Sequence, residues 1–245
     1  MSDATGDGLV ADIGLTVAYH TTPIHYLPAI ARCRRLSSKR ELLAIGYDTG
    51  HFRSTSHSVD VTRGFESFVH LSARPLPPIL RSKLKSGFPH AELRVVIGHL
   101  PARDLHLCRF NIARNRNRSF QQGPEHGWLR DGLRVPVARG ADECRGLLQA
   151  SSDGDLEVLF PGGVDLSSDT EVRAFDDADA ALAEAALAAA GTGWRVTLHA
   201  GPAYPRRADR ASAAEEEYAR FLADVSYRGS GLDFDRFKDQ PTLLG

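Results

Sequence analysis

The sequence predicts an α+β protein in which strands dominate and helices are segregated from them. Three observations lead there. Short stretches rich in β-branched and aromatic residues recur along the chain, bounded by Pro and Gly. Helical periodicity is confined to a few segments, the clearest an Ala-rich run closed by a glycine. With 245 residues and 42% hydrophobic content, the chain can bury one substantial core plus an appendage.

Taken in order, "MSDATGDGLVADIG" is a polar leader, expected to be mobile over residues 1–14. "LTVAYHT" follows as a first strand. "IHYLPAIARCRRL" reads as a helix, because Leu27, Ile30, Ala31 and Leu36 supply an apolar stripe while the arginines stay with solvent. From Ser37 to Arg63 the pattern dissolves into Ser, Thr, His and Gly, which predicts a long loop with at most short helices. "FESFVHLSA" and "AELRVVIGHL" are strand-like, separated by Pro75, Pro77, Pro78 and a short basic helix. "LRVPVA" is a further strand, then "GDLEVLFPGGV", then "TEVRAF". Asp176 to Ala190 is the Ala-rich helix, and "WRVTLHA" is the last strand. Beyond it "PRRADR" reads as a linker, "ASAAEEEYARFLADV" as a helix, and the final residues as a loosely docked tail. The domain reading is therefore a leader over 1–14, a folded domain over 15–205 and a C-terminal helical extension over 206–245. No internal repeat is visible.

Composition narrows the function classes. The formal net charge is −1, so no global basic field marks the chain as a nucleic-acid binder, yet Arg103, Arg109, Arg114, Arg116 and Arg118 crowd its middle. Three widely spaced cysteines without a CxxC pair argue against a disulfide framework and a zinc site, and fit a reducing cytoplasm. The N-terminus lacks the parts of a signal peptide, and no apolar run approaches a membrane span of about 20 residues. P-loop, dinucleotide-fingerprint, zincin and serine-hydrolase motifs are all missing. None of the ten histidines is paired at metal-ligand spacing.

One carboxylate stands out. In "GDLEVLFPGGV", Val158, Leu159 and Phe160 read as a short buried strand stopped by Pro161-Gly162-Gly163, which puts Glu157 at the strand mouth. There it is either a solvated edge charge or a catalytic group held by rigid backbone, and by itself the pattern favours the first. His20, late in the first strand, is by itself a core histidine. The run "RFNIARNRNR" interleaves arginines with Asn and one aromatic, as a groove for a single strand would, although a solvated charged loop reads the same way.

The stretch "YHTTPIHYLPAI" resembles the opening of the DarT family of DNA ADP-ribosyltransferases, a strand bearing Tyr-His-x-Thr that runs into a helix beginning Asn-Leu-Pro-x-Ile. His20, Thr22, Ile24, Leu27, Pro28 and Ile30 match in register. "IGYDTGHFRSTSHSVDV" is similar to the family's loop of Ile-Gly followed by an arginine, here Arg53; "FVHLSARPLPPIL" to its second strand and Pro-rich exit; "LEVLFPGGV" to the strand headed by its catalytic glutamate; and "WRVTLHAGPAYP" to its closing strand. The likeness spans Leu15 to about Pro205. The chain departs from the family at Pro23-Ile24-His25-Tyr26, where the family has His-Ile-Asp-Asn, at Leu76-Pro77-Pro78, where it has Arg-Ser-Pro, and at Asp155, where it commonly has Gln.

The resemblance implies an ADP-ribosyltransferase-like fold, two small packed β-sheets with flanking helices forming an NAD cleft. It further implies transfer of ADP-ribose from NAD to a nucleobase in DNA, preferably single-stranded, in a cytoplasmic toxin or phage-defence enzyme restrained by an antitoxin partner. On this reading Glu157 and Arg53 are catalytic, with Arg53 on the pyrophosphate or on Glu157. His20, Thr22, Tyr26 and Ser72 bind NAD, Asp155 orients the acceptor, and Arg109, Arg114, Arg116 and Arg118 carry nucleic acid; no metal is needed. The alternatives are a same-fold transferase acting on RNA, protein or a small molecule, and an inactive NAD- or nucleic-acid-binding module.

Overall fold

The structure is a computed structural model that describes residues 8–44, 65–77, 80–81, 84, 89–109, 128–130, 133–135, 137–151 and 156–199. The chain divides into two compact units, one of residues 1–20, 36–77 and 95–165, the other of residues 21–35, 78–94 and 166–245. The extension expected over 206–245 lies outside the described residues.

In the first unit, the early part of β1 (Val17–Pro23), β3 (Phe68–Ser72), β9 (Glu157–Pro161), β5 (His106–Cys108) and β8 (Val137–Arg139) form consecutive neighbours in a sheet. The contacts from β3 to β9, β9 to β5 and β5 to β8 are all antiparallel. Alternation sets the two faces. Leu71, Val158 and Leu107 share one, and all are buried. On the other, Phe65, Cys108, Val137 and Leu159 form a core cluster against which Phe68 packs. The predicted strand stop is present, since β9 ends at Pro161 and Gly162 takes a left-handed φ of 70°.

Two helical elements of this unit differ from the sequence reading, which also did not name β5. The leader is tied down from Gly8 onward: Val10–Ile13 form a 3-10 turn with Val10 and Ile13 buried. Val10 N donates to the Leu100 carbonyl at 2.9 Å and Ala102 N to that of Gly8 at 2.7 Å. Two buried apolar side chains and a bridge between Leu9 and Pro101 outweigh the polar composition around them. The second is a helix the pattern did not reveal, α3 (Gly140–Ala150), following α1 (Leu27–Cys33) and α2 (Lys39–Ala44) in chain order. Its apolar stripe is too thin to read, because Cys144 is its one fully buried side chain. The Cys144 thiol lies 3.4 Å from the Ala138 carbonyl and 3.7 Å from that of Leu105, and burial pushes its pKa up to about 12. Cys144 is therefore a packing residue with no thiolate chemistry at neutral pH. Short α2 opens on a capping box: Glu41 N donates to Ser38 Oγ at 3.2 Å, and Ser38 N to Glu41 Oε2 at 3.0 Å.

In the second unit, β11 (Glu171–Ala174) runs antiparallel to β4 (His90–Val96) and parallel to β12 (Arg195–Leu198). Helix α4 (Asp177–Ala190) buries Ala183, Ala186 and Leu187 and packs against α1, with its buried Leu27 and Ala31. Arg32 Nη2 reaches the Ala189 carbonyl at 3.2 Å. Asp176 caps α4, its Oδ1 accepting from Asp179 N at 2.7 Å, and Gly191 ends it at φ 65°. Glu92 is wholly buried on β4 and is joined by Arg173, 3.8 Å away.

Two consequences can be measured. Replacing Asp176 with Ala removes a side-chain cap and should cost about 1 kcal/mol, a fall in Tm of roughly 2–4 °C for a chain of this size; an unchanged Tm would mean that the cap contributes nothing. The second concerns His106, whose pKa is lowered from its ordinary value chiefly by burial, with Arg139 adding to the effect. A histidine kept neutral by the fold takes up its proton more readily when unfolded, so stability falls as pH drops below about 6.5, the ordinary value. Its Nδ1 meets the Asp104 carbonyl at 3.2 Å. His106→Asn, which keeps a donor there, should flatten the decline in Tm between pH 7 and pH 5 relative to wild type; parallel curves would remove His106 from the acid response.

Candidate active site

β3 and β9 build the candidate site from the first unit alone. Their register places Ser72 opposite Glu157 and His70 opposite Leu159, and β5 places Cys108 on the far side of Glu157. Residues directly opposite in an antiparallel pair project to the same face, as do residues two apart on one strand. Ser72, His70 and Glu157 therefore share a face. Tyr19, opposite Ser72 on β1, joins that row.

Glu157 is only 6% exposed. The solvated edge charge that its sequence position favours is not what the fold makes of it. Its Oε1 lies 2.9 Å from His70 Nδ1, and His70 Nε2 lies 3.2 Å from the Phe65 carbonyl. The Phe65 ring stands edge-on to the imidazole, with centroids 6.2 Å apart. The carboxylate is thus held by a ring that is itself held by backbone.

His20 enters the same cluster by a different route. Its Nδ1 is 3.1 Å from the His70 carbonyl, which requires Nδ1 to carry the hydrogen. Burial lowers its pKa, opposed by that hydrogen bond and reinforced by proximity to His70. The ring is accordingly neutral at pH 7, with Nε2 as its accepting nitrogen. Ser72 Oγ donates to the Arg74 carbonyl at 2.8 Å and accepts from Arg74 N at 3.3 Å, closing a turn at the exit of β3. Ala73 N donates to the Leu156 carbonyl at 3.0 Å, which ties that turn to the residue before Glu157. Just beyond, Leu76 adopts φ 54°, a left-handed conformation that costs a branched residue on the order of 1–3 kcal/mol.

The structure brings together Glu157, His20 and Ser72 among the residues singled out from sequence. Thr22 and Tyr26 belong to the second unit, where Thr22 is buried, with Oγ1 3.3 Å from the Pro23 carbonyl, and Tyr26 is buried at the head of α1. Arg109 is exposed at the bend after β5. Arg53, Asp155, Arg114, Arg116 and Arg118 lie outside the described residues. His70 is the residue that sequence reading passed over, although "FVHLS" alternates His70 with Ser72 on one strand face. Among the described residues no cluster of His, Cys, Asp and Glu is arranged to hold a metal ion.

No protein-family model matches the sequence, and no curated protein matches it. Solved structures do. DarT of Thermus sp. 2.9 in complex with NAD+ superposes with a TM-score of 0.50 at 14% identity, over 76% of this chain and 96% of that one. The same protein in complex with ADP-ribosylated ssDNA gives a TM-score of 0.48 at 14% identity over 76% and 96% of the two chains. DarTG of Thermosipho africanus in complex with ADP-ribose gives 0.48 at 16% identity, over 75% of this chain and 50% of that one. The match to the NAD+ complex is one of fold: the chain has the α+β, ADP-ribosyltransferase-like fold of DarT.

Proposed function

We propose that this protein is an NAD-dependent ADP-ribosyltransferase that moves ADP-ribose from NAD to a nucleobase, in single-stranded DNA by preference. The observation that carries the reading is the buried Glu157 carboxylate at the head of β9, fixed by His70 on a DarT-like scaffold. Breaking the bond between nicotinamide and C1″ returns an electron pair to the pyridine nitrogen and leaves positive charge on the ribose, as in glycoside cleavage. A preorganised carboxylate stabilises that charge and accepts hydrogen bonds from the ribose hydroxyls, an effect commonly worth a few kcal/mol. The acceptor atom of the base then bonds to C1″ and loses its proton to solvent, while nicotinamide leaves as the neutral pyridine.

Other groups take supporting roles in the proposal. Neutral His20 offers Nε2 as an acceptor toward the adenosine ribose or the nicotinamide amide, Ser72 is a further NAD contact of the same unit, and Thr22 and Tyr26 are kept as NAD-binding candidates of the second unit. Arg53 neutralises the pyrophosphate or pairs with Glu157, either of which suits a guanidinium. Asp155, two residues before Glu157, orients the incoming base. Arg109, Arg114, Arg116 and Arg118 hold the strand by its phosphates, for which the alternation of arginine and asparagine is the support. Service as a cytoplasmic toxin or phage-defence enzyme with a restraining partner belongs to the same proposal.

Labelled NAD offered with single-stranded DNA, RNA or cell protein in separate reactions tests it. Label should enter DNA, and Glu157→Gln, which removes charge at nearly constant shape, should lower transfer by at least ~100-fold, the scale of losing a few kcal/mol of transition-state stabilisation, while its circular dichroism matches wild type. Transfer within a few-fold of wild type would remove Glu157 from the chemistry. Label on RNA or protein would change the acceptor, and no nicotinamide release at all would make the chain a binding module.

Replacing Arg114, Arg116 and Arg118 together with Ala should weaken DNA binding and flatten its salt dependence by roughly two units on a log–log plot, as expected for three lost phosphate contacts to a single strand. An unchanged slope would leave these arginines as ordinary surface and turn attention to a protein or small-molecule acceptor.

A further inference from the structure

We propose that His70 is the positioning residue of Glu157, holding the carboxylate with a proton carried on Nδ1. The inference rests on the reading of Glu157 as catalytic, and it follows from what each ring nitrogen faces. The Phe65 carbonyl, 3.2 Å from Nε2, can only accept, so Nε2 carries a hydrogen. Nδ1 then faces Glu157 Oε1 at 2.9 Å, and without a proton between them two lone pairs would oppose each other. A carboxylic acid is ordinarily stronger than an imidazolium by about two pKa units. The proton therefore rests on the ring, and the contact is a charge-assisted hydrogen bond.

The strand register makes this pair a product of the fold. Glu157 lies opposite Ser72 and His70 opposite Leu159, so the two are diagonal neighbours on one face, within reach of long side chains. A carboxylate tethered at one oxygen to a ring that is tethered at its other end cannot swing between rotamers, which is the condition for a preorganised charge. Among the described residues, the elements packed against β3 and β9 bring other titratable groups. These are Tyr19 and His20 from β1, His106 and Cys108 from β5, Glu66 from the turn before β3, and Lys39, Arg40 and Glu41 from α2. His20 and His106 are both held toward the neutral form, so neither competes as a cation for Glu157 near neutral pH.

The bond exists only while Nδ1 is protonated. Turnover should therefore have an alkaline limb that belongs to His70: as pH rises and the proton leaves, the lone pair faces the carboxylate and the tether is lost. Asn places an amide donor near the position of Nδ1 and does not titrate. Against labelled NAD and the acceptor that wild type modifies, His70→Ala should lower kcat at least ~10-fold with KM for NAD changed less than about threefold, the split expected for a group acting in the transition state alone. His70→Asn should recover most of kcat and lose the alkaline limb. A wild-type kcat in His70→Ala, or an unaltered pH profile in His70→Asn, overturns the proposal.

A second measurement needs no turnover. In the nitrogen-15 spectrum of the full chain at pH 7, Nδ1 of His70 should be in its protonated range in wild type and in its unprotonated range in Glu157→Gln, where the amide donates instead. An active wild type with Nδ1 unprotonated overturns the positioning role alone. A wild type inert toward NAD with the expected spectra overturns the functional reading, and the positioning role with it, while the ion pair itself stands.

Discussion

A carboxylate that leaves water gives up several kcal/mol of hydration, and in this protein Glu157 is compensated in part by a chain of contacts that ends on backbone. The chain runs from Oε1 to His70 Nδ1, from His70 Nε2 to the Phe65 carbonyl, and from the His70 carbonyl back to His20 Nδ1. The link between Glu157 and His70 needs β3 and β9 in their observed register. A slip of one residue would send His70 to the opposite face from Glu157. The same register seats Leu71 against Val158 on the reverse side, so the apolar face and the polar pair select a common alignment.

The surrounding structure keeps that alignment rigid where chemistry needs it. The turn closed by Ser72 and Arg74 fixes the exit of β3, and the bond from Ala73 N to Leu156 carries the constraint to the residue beside Glu157. Gly162 N donates to the Ser67 carbonyl at 2.7 Å at the opposite end of the same strand pair. Pinned at both ends, the two strands leave little freedom for the carboxylate that β9 carries. The left-handed Leu76 follows directly, a local strain that a well-anchored turn can hold.

The second unit meets a related demand with different chemistry. Glu92 is fully buried, and an arginine, Arg173, stands near it in place of a histidine. An arginine does not give up its proton in the accessible range, so the cationic side of that pair is fixed. Glu157 has a partner whose proton can leave. The contrast separates a structural carboxylate from one whose tether is titratable.

Much of the fold was legible from local pattern. β1, β3, β4, β11 and β12 stand where β-branched and aromatic residues cluster, and α4 occupies the Ala-rich run between an Asp cap and a Gly stop, because these preferences act within a few residues. Glu157 was legible as the head of a buried strand. Its burial was not, since a strand mouth is equally compatible with solvent, and only the neighbouring strands decide. Helix α3 was hidden because a stripe built on Cys144 carries too little hydrophobic periodicity, and the packed turn at Val10–Ile13 because its apolar partners lie about 90 residues away. The sequence by itself determined the strands β1, β3, β4, β9, β11 and β12, the helices α1 and α4, and which acid heads β9. Only the tertiary structure decided that His70 holds that acid, because the two are 87 residues apart and meet through the pairing of β3 with β9, a register that no local preference encodes.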